Sequence, residues 1–246
     1  MKIALVGFGN MGQEVERVIK DSNLHQVVSI SLKTINGDWD NKGLKQADVV
    51  IDFTNPKVVL GNIKKVAALG KNMVVGTTGW YDQINVVKRI VKQKKIGLIY
   101  AQNFSIGANI FFKIIKDASG LFAGFEDYDV YGLEVHHSGK KDSPSGTAVR
   151  IAREILDKFP SKKKLQTEKL DRQIAKDELH FASVRGGRNP GFHQVTFDSQ
   201  ADSITLSHQA HNRTGFARGA ILAAEFIKGK KGFYKFDQVF EGGDKR

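Results

Sequence analysis

The 246-residue chain contains no cysteine, which excludes disulfides, thiolate metal sites and a cysteine nucleophile and suits a reducing cytosol. No apolar run is long enough to span a membrane, so a bilayer partner is not expected. Residues 1–7 form a strand entering a glycine-rich turn, not a signal peptide, and a cytoplasmic location follows as the expectation. There is no H-E-x-x-H motif, no helix-turn-helix pattern, no internal repeat and no low-complexity stretch. His208 and His211, with Arg213 nearby, lack a carboxylate-backed cluster, so no metal is expected. Acidic residues are scarce, 26 against 38 Lys and Arg, for a formal net charge of +12. Those cations are dispersed, and the one tight run, Lys162-Lys163-Lys164, follows Pro160 and reads as a solvated connector. Nucleic acid is therefore not expected; a basic field of this kind attracts dianionic substrates and phosphorylated cofactors.

What the chain does contain is organised around residues 134–148, Glu-Val-His-His-Ser-Gly-Lys-Lys-Asp-Ser-Pro-Ser-Gly-Thr-Ala. Ala148, Ile151, Ala152, Ile155, Leu156 and Phe159 recur at helical spacing, predicting a helix that starts near Ser143 with Pro144 in its first position. The opening turn, Ser145-Gly146-Thr147, presents amides without internal partners at the positive end of the dipole. Gly146 lets a carboxylate or phosphate approach that backbone. Upstream, residues 128–136 read as a strand, whose end projects His136 and His137 to different sides, with Lys140 on the short loop that follows. Proton donors beside an anion hole call for an anionic substrate that is protonated during reaction. A pKa near neutrality suits His136 to that donation.

The chain opens with an apolar run followed by Gly7-Phe8-Gly9-Asn10-Met11-Gly12 and a helix marked by Val15, Val18 and Ile19. This is G-x-G-x-x-G between strand and helix, a dinucleotide fingerprint: Gly7 allows the turn, Gly9 the approach of a pyrophosphate, Gly12 close helix packing. Strands at 27–32, 48–53, 74–75 and 96–100 alternate with helices, predicting a doubly wound parallel sheet. At the end of the second strand, where NAD-preferring sites carry an acid, stands Lys33, which favours the extra phosphate of NADPH over NADH. The fourth strand ends in Gly76-Thr77-Thr78-Gly79, placing hydroxyls and amides where ligands of parallel sheets lie.

Residues 134–148 closely resemble the signature of the dihydrodipicolinate reductase family, roughly E-x-H-H-x-x-K-x-D-x-P-S-G-T-A, with every fixed position present. The resemblance implies that His136 is the general acid, Lys140 an assisting donor, His137 a substrate contact, and Ser145, Gly146 and Thr147 the cradle for a substrate carboxylate. Many members carry Arg-His where this chain has Ser138-Gly139. It further implies that Gly76, Thr77, Thr78 and the segment Ala101-Gln102-Asn103-Phe104 touch the nicotinamide end of the cofactor. For Phe104, plain core packing is an equal alternative. Val184-Arg185-Gly186-Gly187 and Gly191-Phe192-His193 also match the family: Arg185 faces either a carboxylate or a neighbouring subunit, and His193 either orients the site or starts a strand.

The strands expected after residue 178 predict a second, α+β domain with an open mixed, mostly antiparallel sheet. The apolar helix at 215–227 resembles the family segment that returns to the nucleotide domain. The expected organisation is a discontinuous Rossmann-type domain, 1–105 with 216–246, and a substrate-binding and oligomerisation domain, 106–215, ending in a partly loose tail after Lys228. The resemblance implies reduction of a cyclic dicarboxylate of the dipicolinate type by NADPH or NADH, on the diaminopimelate and lysine route, by a homotetramer. Two other readings are a different two-domain nicotinamide dehydrogenase, of the aspartate or homoserine type, and a nucleotide-sensing regulator that binds DNA.

Overall fold

Four strands, β1 (Lys2–Val6), β3 (Val49–Asp52), β4 (Asn72–Val75) and β5 (Gly97–Tyr100), are almost wholly apolar and almost wholly buried. That is the pattern of parallel strands covered on both faces. With β2 (Gln26–Ser31) and β11 (Gly232–Lys235) they form a six-stranded sheet of order β11-β5-β4-β3-β1-β2, every pairing parallel. The structure, a computed structural model, describes residues 1–31 and 39–241. The chain divides into two compact units, one of residues 1–106 with the chain from Arg213 onward, the other of residues 107–212.

In the first unit, α1 (Asn10–Ser22) and α7 (Thr214–Ile227) cover one face of the sheet through Val15, Ile19, Ala220 and Ala224. The opposite face is covered by α3 (Val59–Ala68) and α4 (Ile84–Lys94), with Val59, Ile63, Val87 and Val91 at helical spacing. A short helix, α2 (Asn41–Gln46), capped by Asp40, leads into β3. The strand order reverses between β1 and β3, so their carboxyl ends form the crevice where ligands of such sheets bind. After Lys228, the described residues through Glu241 include regular structure. Residues 232–235 extend the sheet beside β5, and Phe236 is buried against Phe104 because its ring completes the apolar layer beneath α7.

The second unit is a five-stranded sheet of order β10-β9-β6-β8-β7, built from β6 (Asp129–His136), β7 (Lys164–Gln166), β8 (Glu178–Arg185), β9 (Phe192–Asp198) and β10 (Ser203–Gln209). The β6–β9 and β9–β10 pairs are antiparallel, whereas β6–β8 and β7–β8 are parallel: the chain crosses over from β6 to β7 through α6 (Gly146–Lys158) and from β7 to β8 through the connection at 167–177. One face packs Val130, Phe181, Val195 and Phe197 against α6 and α5 (Ile106–Phe122). Within the lysine run, Lys162 is not solvated: it is 5% exposed, its Nζ donates to Lys176 O at 3.0 Å, and it lies 2.6 Å from Asp129 Oδ1. A buried ammonium requires such partners.

Candidate active site

At the end of β1 the chain turns through Gly7, whose φ of +87° suits glycine and whose Cβ, if present, would fall 2.3 Å from Phe53 O. A Cβ on Gly12 would meet Gly7 O at 2.3 Å, so this position closes α1 onto the strand. Gly9 differs: among the described residues nothing lies within 4 Å of its would-be Cβ, and no side chain caps α1. Exposed Gly9 and Asn10, with the half-buried Phe8 and Met11, therefore leave a helix start open to an anion.

Beside this turn, the ends of β3 and β4 are tied by a buried carboxylate. Asp52 Oδ1 accepts from Thr77 Oγ1 at 2.7 Å, from Thr54 Oγ1 at 2.8 Å and from Thr54 N at 3.1 Å, and Oδ2 accepts from Asn62 Nδ2 at 2.8 Å. Burial raises the Asp52 pKa against the lowering effect of these hydrogen bonds. The Thr77 hydroxyl is thus committed internally, while Thr78 and Gly79 are exposed beyond it. Gly76 packs edge-on to Phe53, whose ring would lie 2.0 Å from a Cβ there. The Phe104 ring is 2% exposed and packs on Phe53 and Phe236, the core alternative; Ala101 is also buried, Asn103 is half-buried with its Oδ1 accepting from Ser105 N at 2.7 Å, and Gln102 is exposed. Lys33 lies outside the described residues.

In the second unit, strand alternation points Glu134 and His136 inward and leaves His137 exposed. Glu134 is fully buried, in register with Ser183 on β8 and His193 on β9, and His136 is in register with Arg185. Its Oε1 accepts from Ser145 N at 2.9 Å, Ser183 Oγ at 2.8 Å and Arg185 NH2 at 2.7 Å. Its Oε2 lies 3.3 Å from His136 Nδ1 and 3.4 Å from His193 Nε2. Burial opposes ionisation of Glu134, but the approach of His193 and the hydrogen bonds from Ser145 and Arg185 outweigh it and hold the carboxyl well below the usual range. Arg185 therefore faces a carboxylate, and His193 is a member of the cluster.

His136 departs from the near-neutral pKa expected of it. Burial pushes it down to about 4, the Glu134 charge raises it, and the fields of His193, Lys140 and Arg185 lower it further. The following loop is held by His137 N donating to Asn189 O at 2.8 Å, and Lys140 Nζ pairs with Asp142 at 2.8 and 3.0 Å. The helix begins later than Pro144 implied. Ser145 is the cap, its Oγ accepting from Ala148 N at 3.1 Å, and Gly146 is the first helical residue. Ser145 is 2% exposed, with its amide given to Glu134 and its hydroxyl 3.2 Å from His193 Nε2. It is a structural cap more than an open contact. Gly146 is exposed, with no described residue within 4 Å of a would-be Cβ, and Thr147 is half-buried beside it.

Comparison with known proteins gives this geometry a family. The C-terminal family model of dihydrodipicolinate reductase matches residues 107–240, and the N-terminal model matches residues 1–104. The chain belongs to the dihydrodipicolinate reductase family. A 4-hydroxy-tetrahydrodipicolinate reductase from Christiangramia forsetii is 39% identical over 241 residues, 97% of each chain. One from Methanosarcina mazei is 35% identical over 239 residues, 96% of this chain and 88% of its own length. Among solved structures, a dipicolinate-bound dihydrodipicolinate reductase from Paenisporosarcina sp. TG-14 shares the fold with a TM-score of 0.77 at 24% identity, covering 97% of this chain and 99% of its own.

The sequence pattern singles out His136 but gives Glu134 no role and leaves Arg185 and His193 open. Their shared register on adjacent strands is the signal that unites them, and it exists only once the sheet order is known. Glu134, His136 and His193 also place one carboxylate oxygen and two ring nitrogens within 4.8 Å of one another, a donor set of the zinc-binding kind. The Arg185 guanidinium on the same carboxylate supplies its counter-charge and opposes a dication there.

Proposed function

We propose that this chain is a 4-hydroxy-tetrahydrodipicolinate reductase, reducing a cyclic dipicolinate-type intermediate to tetrahydrodipicolinate with NAD(P)H on the diaminopimelate and lysine route. The observation that carries the reading is the juxtaposition of His136 with the Ser145-capped helix start, both anchored on Glu134, in a chain 39% identical to a reductase of that name. The dinucleotide is assigned to Gly7, Phe8, Gly9, Asn10, Met11 and Gly12, with its nicotinamide end toward residues 76–78 and 101–104, through backbone where Thr77 and Phe104 commit their side chains internally. Bound there, the reduced cofactor supplies hydride.

The remaining steps belong to the protein's own residues. The amides of Gly146 and Thr147 receive one substrate carboxylate, and Lys140, exchanging Asp142 for substrate, with His137, receives the other. Hydride addition at one ring carbon leaves an enamine, and His136 delivers a proton to the adjacent carbon, recovering its own proton from solvent. Two substrate carboxylates beside the imidazole favour its protonated form, countering the burial that depresses it in the free protein. NADPH is taken as the preferred cofactor on the strength of Lys33, and a cytoplasmic location on the cysteine-free composition. A homotetramer is supported by the sheet face opposite α5 and α6, where Tyr131 and Val184 are exposed.

The test is NADPH oxidation by purified protein supplied with freshly generated dihydrodipicolinate. No oxidation, together with turnover of aspartate or homoserine, would end this assignment.

A further inference from the structure

Glu134 is a fully buried carboxylate held by three hydrogen bonds, with no assigned part in the chemistry. We propose that it is the positioning residue of proton transfer, one buried carboxylate that clamps the substrate-holding start of α6 to β6 and aims His136 by its Nδ1 edge. The inference rests on the functional reading above. Two independent sets of contacts support it. On one side, Oε1 takes the Ser145 amide, fixing the cap of α6 and hence the Gly146 and Thr147 amides that follow. Arg185 and Ser183 hold the same oxygen from β8, so it cannot swing away without orphaning three donors.

On the other side, Oε2 has no hydrogen bond of full geometry, and two imidazoles approach it, His136 Nδ1 at 3.3 Å and His193 Nε2 at 3.4 Å. A carboxylate only accepts, so the attractive arrangement places protons on His136 Nδ1 and His193 Nε2. Nε2 of His136 is then the nitrogen left to exchange a proton with substrate. It lies against Gly191, where a Cβ would be only 3.1 Å away, so glycine keeps that nitrogen uncrowded. The charged and titratable groups facing His136 are Glu134 on its own strand, His193 on β9, Arg185 on β8 and Lys140 on the loop. Glu134 is the sole anion among them, and it alone favours the imidazolium.

The experiment compares wild type with Glu134→Gln and Glu134→Asp. The Gln variant removes the charge and offers an amide donor to His136 Nδ1. Its kcat is expected to fall on the order of 10²-fold, with NADPH affinity unchanged, and the high-pH fall in kcat should move to lower pH because His136 loses its favourable anion. The Asp variant, which keeps the charge, should retain the wild-type pH profile at reduced kcat. Loss of kcat in Glu134→Gln without movement of that pH limb, or no loss at all, overturns the proposal. Nitrogen-15 NMR of His136 in the wild-type protein reads the geometry without activity: the Nδ1–H tautomer is expected, and an Nε2–H tautomer overturns the inference even if neither variant folds. A wild-type protein inactive on dihydrodipicolinate yet showing Nδ1–H at His136 would instead sink the functional reading and leave the clamp standing.

Discussion

The Thr77 hydroxyl donates to the buried carboxylate of Asp52 at 2.7 Å, so the loops leaving β4 and β3 are held to each other from beneath. Asp52 pins Thr54 and Asn62 as well, which makes it the polar anchor of the crevice edge. Because burial raises its pKa, the ionised form costs stability: relative to the unfolded chain this group stabilises best below the unfolded pKa, and that contribution is lost as pH rises through the folded one. Asp52→Asn should therefore be mild, within about 1 kcal/mol, since Asn62 Oδ1 is buried with no partner among the described residues and a flipped amide can accept from the introduced one. Asp52→Ala orphans several donors and should cost about 2–5 kcal/mol. Urea denaturation at neutral pH distinguishes them; equal losses would refute the anchor role.

The glycines of the first turn separate binding from folding. Gly9→Ala places a methyl where no described residue lies within 4 Å and should leave the melting temperature unchanged while weakening NADPH binding about tenfold or more, roughly 1.4 kcal/mol. Gly12→Ala drives a methyl into Gly7 O and should destabilise the protein by about 1–3 kcal/mol. Thermal melts and fluorescence titration of NADPH on both variants check the contrast.

His136→Gln should lower turnover by about 10²-fold or more with cofactor affinity intact. It should also change acid stability. A histidine depressed to about 4 in the folded state confers stability that is whole above its unfolded value near 6.5 and is lost as pH falls through the folded one. Wild type should thus lose more stability than the variant between pH 6.5 and 4, read as the difference of two denaturation series. Parallel pH curves would show that burial does not depress this imidazole.

Lys33→Glu replaces the cation expected beside the adenosine ribose with an acid. The ratio of kcat/KM for NADPH to that for NADH should fall by at least about tenfold, since one charge reversal near a phosphate is worth more than 1.4 kcal/mol. An unchanged ratio from steady-state assays with both cofactors would dismiss Lys33 as the discriminator.

What could be read before folding was what is local in sequence. The periodicity of Ala148, Ile151, Ala152 and Ile155 specified α6, and the apolar runs before Gly7 and Thr54 specified buried parallel strands. The exact start of α6 was less legible, because Pro144 and Ser145 both suit a helix opening and only the Ser145 hydroxyl bonded to Ala148 N decides between them.

By itself the sequence determined the alternation of strands and helices, the glycine turn at the head of α1, and the joining of His136 and His137 to a glycine-threonine helix start, since each depends on neighbours within a few residues. Tertiary structure decided what those residues became. Sheet register brought Ser183, Arg185 and His193 onto Glu134, desolvation lowered His136 and raised Asp52, and strand addition ordered 232–235. Register and desolvation depend on segments far apart in the chain meeting in space, and no spacing along the chain encodes them.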